Sequence, residues 1–147
     1  MDRRSELCQG EKSEWRKLHG LLEPLSDEEL QDPTLTPEGW SPKDMMFHVG
    51  AWAADCARQL ERMRLGTWQE PVETVDATNA EWFQLSRTLG LDTVRGELMA
   101  GRNRMIQEFG ALLEVTPEAQ EWFSESGEIH YRNHAAELRS WLEGRSA

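Results

Sequence analysis

Two histidines near the end of the chain are spaced for metal chemistry. His130 and His134 stand four apart in GEIHYRNHAAELRSWL, Gly127 to Leu142. At 3.6 residues per turn an i, i+4 pair lies about 40° apart on one helical face, one turn above the other. Two imidazoles so placed can grip a single divalent metal from the same side. Tyr131, Ala135, Leu138, Trp141 and Leu142 form the apolar arc of this helix. His134 falls on the flank of that arc and His130 nearer its edge, so the pair looks inward. The same spacing also suits two partly buried, hydrogen-bonded histidines, and a third ligand from elsewhere would tip the balance. The other histidines are His19 and His48.

His48 belongs to a helix with a clear start. In SPKD, Ser41 is the N-cap, Pro42 takes the first helical position and Asp44 sits where a capping box wants an acid. Met45, Val49, Trp52, Cys56, Leu60 and Met63 then recur at steps of three and four as an apolar stripe. His48 lies roughly 70° from the centre of that stripe, at the wall of the core. Asp44 and Asp55 share its flank, and with Glu137 they are candidates for orienting a metal-bound imidazole or serving as a base. Capping also accounts for Asp44, and solvent exposure for Glu137. Cys56, in mid-stripe, reads as packing, because apolar burial raises a thiol's pKa and quiets it.

The remaining elements must hold these residues in place. A first helix, about Ser5 to Pro24, has a core face of Leu7, Trp15, Leu18, Leu21 and Leu22, with His19 outside it on the surface. Glu11 and Glu14 intrude on that face and are expected near its margin, reaching solvent. A linker rich in proline and glycine precedes the second helix. Val72, Val75, Trp82, Phe83 and Leu89 make a third helix amphipathic, with Asn79 near the middle of its apolar face and expected to tie to a neighbour's backbone. Gly90 interrupts it. With Asp92 as N-cap, the chain resumes as a long helix to about Leu113, with Val94, Leu98, Met105, Ile106, Phe109 and Leu113 on its core face. Arg95 and Arg102 share that face, either snorkelling from the flank or, as an expectation for Arg102, binding an anionic cofactor in a polar cavity. The acidic stretch EAQEWFSESGE leads into the last helix. The sum is an all-α four-helix bundle with a long crossover connection and one interrupted helix. Trp52 and Trp141 are expected in the core beside the histidines, each worth about 3–5 kcal/mol against alanine.

Composition bounds the function. With 147 residues, 38% hydrophobic and 29% charged, the chain reads as a single globular domain over 1–147. A net charge of −11 argues against nucleic acid and anionic membranes. No apolar run approaches a spanning helix, the N-terminus has no apolar signal core, and two cysteines are too few for a disulfide framework. These features fit a reducing cytoplasm. Strand signals, internal repeats, Gly-rich phosphate loops and the GxSxG pattern are all missing.

The motifs resemble those of a family. GWSPKDMMFHVGAWAAD is similar to the second-helix motif of the DinB-like (DinB/YfiT) bundle superfamily, HYRNHAAELRSWL to its closing HxxxH helix, and VDATNAEWF to its intermediate segment. The resemblance covers about Trp15 to Leu142, and the two histidine motifs are its specific parts. It implies a divalent metal, zinc or nickel, held by His48, His130 and His134 with water in the open positions. It also implies a metal-dependent hydrolase, or a thiol-dependent transferase using mycothiol or bacillithiol on small electrophilic substrates. Mycothiol-dependent maleylpyruvate isomerases in the family carry a further C-terminal domain that this sequence lacks. The resemblance further suggests a homodimer, as do seven tryptophans in so short a chain. The alternative is a non-catalytic bundle that binds metal or a partner. An open coordination position would mark the enzyme, and a sealed one the binder.

Overall fold

Local capping chemistry sets where five of the seven helices begin. In the computed structural model, which describes residues 1–146, α1 spans Arg3–Leu22 and α2 is a single turn, Asp27–Leu30. Helix α3 is Pro42–Leu65, α4 Val75–Ser86, α5 Leu91–Ala111, α6 Pro117–Ser126 and α7 Glu128–Ser146. Ser41 and Asp44 close the capping box expected for α3, and Gly66, at φ 76°, ends that helix in the left-handed conformation. Asp2, Thr74 and Thr116 cap α1, α4 and α6 by accepting from backbone N–H groups of the first turn. No strand occurs among the described residues.

The four long helices pair as α1 with α7 and α3 with α5, while α4 covers α3 and α6 lies against both α3 and α7. The all-α bundle expected from sequence is therefore present, including the break before α5. Its core runs through Leu18, Met45, Leu60, Met105, Phe109, Phe123, Tyr131 and Leu138, all at most 1% exposed. Phe109 of α5 stacks on Phe123 of α6 with ring centroids 3.8 Å apart.

The α3–α5 pair is tight because two glycines meet in it. A Cβ on Gly101 would fall 2.3 Å from the Gly50 carbonyl oxygen, and one on Gly50 would fall 2.8 Å from the Leu98 Cα. Backbone cannot yield as a side chain can. Gly101→Ala is therefore expected to cost about 1–3 kcal/mol, as overpacking does. Gly96→Ala, in open space on the same helix, should instead gain about 0.4–1 kcal/mol. Urea midpoints of the two variants test the contrast.

Several expectations are corrected. Glu11 does not reach solvent; it is 2% exposed. Gly90, not Asp92, is the N-cap of α5, leaving Asp92 in the first turn. That helix stops at Ala111, and extended backbone at Leu112 turns Leu112 inward and leaves Leu113 99% exposed. The acidic stretch before the last helix is itself helical, as α6, joined to α7 through Gly127. Trp141 packs at the margin of the core and donates to Thr34 Oγ1, while Trp52 is half-buried. No tryptophan is among the exposed large apolar residues.

Candidate metal centre

His48 stands in the second turn of α3, and His130 and His134 begin α7, one turn apart. Packing of α3 beside α7 brings the three rings together, with centroids 4.6–5.0 Å apart. His48 Nε2 and His130 Nε2 lie 2.9 Å apart. One ring nitrogen from each histidine lies within 4.8 Å of the others, and these three form a group that could hold a metal ion. The separations are on the scale of two metal–nitrogen bonds of about 2.0–2.1 Å each. His19 is elsewhere, on α1, 3.7 Å from Glu23 and half-exposed.

Electrostatics prepares the rings for a metal. Burial, then the nearby His134, push His48 down to about 3. Burial and both neighbouring imidazoles also hold His130 well below the usual histidine range, against a smaller opposite effect of the Ser126 backbone. Both rings are therefore neutral near pH 7. Two neutral Nε2 atoms 2.9 Å apart share at most one proton, so a lone pair faces the gap between them. Of the remaining nitrogens, His48 Nδ1 is buried with no hydrogen-bond partner, while the Ser126 backbone accepts from the His130 ring. A divalent ion fits this donor set, since imidazole must be neutral to ligate.

The carboxylates divide into distinct roles. Glu137 Oε1 is 3.4 Å from His134 Nδ1, which leaves Nε2 of that ring for the cluster. This is the orienting contact expected of a metal-bound histidine. Asp44 is spent on structure: it accepts from Ser41 N at 2.9 Å and from Ser86 Oγ at 2.6 Å, fastening α4 to α3. Asp55 pairs with Arg58 at 2.8 Å. Asn79 ties α4 to α3 as expected, but to a side chain, accepting from Trp52 Nε1 at 2.7 Å.

His48 and His130 lie at the wall of a cleft of about 450 Å³. Trp52, Trp68 and Trp122 also line it, with Asn79 and the carboxylates Glu70, Glu118, Glu121 and Glu125. No lysine or arginine is among the lining residues. Trp40, stacked on Phe83 with centroids 5.1 Å apart, meets the His48 ring edge-on and closes that side.

Arg102 is placed away from this cleft. It donates from Nε and Nη2 to the two Glu11 carboxylate oxygens, both at 2.8 Å, and lies over the Trp15 ring. Tyr131 Oη donates to the same carboxylate at 2.9 Å. A guanidinium whose fork is filled by a buried carboxylate is not available to a cofactor, so the anion-binding expectation is corrected. The triad instead links α1, α5 and α7. Sequence reasoning missed it because Glu11 on an apolar face looks marginal until its partners, 91 and 120 residues away, are known.

Cys56 is 0% exposed in α3, and burial pushes its thiol up to about 12. It is core, as expected. At pH 8 a thiol reagent should leave Cys56 unmodified in the native protein and react with it only after denaturation. Mass spectrometry of the labelled peptide reads this directly.

Facing helices of the bundle bring three histidines together, a placement that could hold a metal ion in a bundle core. The family model of the DinB superfamily matches residues 12–140. The chain belongs to that superfamily. Comparisons with curated proteins and with solved structures returned no match.

Proposed function

We propose that this chain is a divalent-metal-dependent enzyme acting on a small molecule, with zinc or nickel held by His48, His130 and His134. One observation carries the reading: three imidazoles cluster with no carboxylate or thiol completing the set, and two of them, neutral by burial, lie at the wall of a cleft. A catalytic site needs that open position; a structural zinc has four protein ligands. When bound, such an ion supplies Lewis acidity and an activated water or thiolate. The chain's own part is to orient and enclose. Glu137 sets the His134 ring, Asn79 fixes Trp52, and the indole walls limit water.

Hydrolysis is favoured over transfer from a carboxylate-bearing thiol such as bacillithiol. The cleft lining carries no lysine or arginine to pair with a carboxylate, and Arg102 is engaged by Glu11. The test is elemental analysis of purified protein, followed by assays of the zinc and nickel forms. Ester and amide substrates probe hydrolysis; electrophiles with mycothiol or bacillithiol probe transfer. Metal-dependent turnover in either arm supports the reading. Bound metal without turnover in any arm would make the protein a non-catalytic metal binder.

A further inference from the structure

We infer that the cleft beside the three histidines selects an organic cation, a small molecule bearing an ammonium group. The inference deepens the proposed function, since it names the substrate class of the same cleft. Glu118, Glu121 and Glu125 are spaced by three and four along α6, which puts them on one helical face, and all three line the cleft. Like charges at this spacing disfavour the helix. Among the described residues none of the three has an ion pair. No side chain therefore compensates their negative field, which beside a low-dielectric wall concentrates cations.

The wall itself suits the same guest. Trp52 Nε1 donates to Asn79 and Trp68 Nε1 donates to Gln59 at 2.9 Å. With both polar edges satisfied by protein, these indoles offer the cleft π surface, to which an ammonium is attracted. Trp122, on α6 with the carboxylates, adds a third ring. His48, 8% exposed, lines the same cleft, so a guest held there lies beside the histidine group. An anionic guest finds no positive side chain there.

The experiment compares three probes of one shape by calorimetry in about 0.1 M salt, where surface charges still act over about 10 Å. Choline is the cation, 3,3-dimethylbutan-1-ol its neutral isostere and 3,3-dimethylbutanoate the anion. Each is titrated into the full chain, zinc-loaded and metal-free. Choline should bind about tenfold more tightly than the alcohol, a difference of about 1.4 kcal/mol, and the anion most weakly. The variant combining E118Q, E121Q and E125Q alters only exposed side chains and should retain the melting temperature while losing most of the discrimination. Equal affinity for choline and the alcohol, tighter binding of the anion, no binding of choline to either form, or discrimination unchanged in the triple variant would each overturn the inference. Zinc content is read separately. Failure to bind zinc with discrimination intact defeats the metal reading alone, and bound zinc without discrimination defeats this one alone.

Discussion

Replacing His48 by alanine is expected to abolish the thermal stabilisation that added zinc gives the wild-type chain. A ligand that binds only the folded state stabilises it by about 2.7 kcal/mol at 100 times its Kd. For a chain of 147 residues that corresponds to a rise in Tm of roughly 8 °C, at about 3 °C per kcal/mol. Two ligands remain in the variant, but its Nε2, 2.9 Å from that of His130, is lost from the group. His130→Ala and His134→Ala should behave alike, because each of the three supplies one nitrogen. His19→Ala is the control: that ring pairs with Glu23 on the surface of α1, and the zinc-induced rise should persist. Differential scanning calorimetry with and without zinc provides the test. A full rise in His48→Ala would mean that zinc binds elsewhere.

Glu11→Ala should be the most damaging single change far from the metal centre. Removing one member of a buried ion pair costs about 3–5 kcal/mol, because the partner charge is left uncompensated. Here the loss strands the Arg102 guanidinium, which is largely buried, and the Tyr131 hydroxyl. In the wild type, burial and the Glu11 charge hold Tyr131 well above the usual phenol range, so it serves Glu11 as a neutral donor. The effect should reach the metal. Tyr131 adjoins His130 on α7, and its bond to Glu11 fixes that helix against α1. Zinc affinity should therefore fall along with stability, whereas Glu14→Ala, whose ion pairs involve half-exposed Lys17 and Arg132, should cost under about 1 kcal/mol. Urea unfolding of the two variants separates these outcomes. A loss below about 1 kcal/mol in Glu11→Ala would show that the pair contributes little.

Much of this arrangement was legible in the residues. The capping box at Ser41 and the i, i+4 histidines are local signals, and local signals survive folding. Their inward direction followed from the apolar stripes of α3 and α7, and the structure brings the same three rings together. Long-range pairing was not legible. Glu11 finds Arg102 and Tyr131 only once α1, α5 and α7 are packed, and Arg102 read alone suggested an anion site. Helix α6 did leave a trace, since Thr116 and Pro117 form a start signal before Trp122 and Phe123. Its acidic composition made it look like a connection. The tryptophans were misjudged for a related reason: helical periodicity places Trp52 on the apolar stripe, but the cleft opens there and leaves the ring half-buried.

On the proposed reading, His48, His130 and His134 hold one divalent ion with a position left open to the cleft. Anomalous diffraction from crystals grown with zinc at a few equivalents tests it most directly. One strong peak per chain is expected among the three rings, bonded to a nitrogen of each at about 2.0–2.1 Å, with no fourth protein ligand. A peak located elsewhere, or one completed by a fourth side chain, would contradict it.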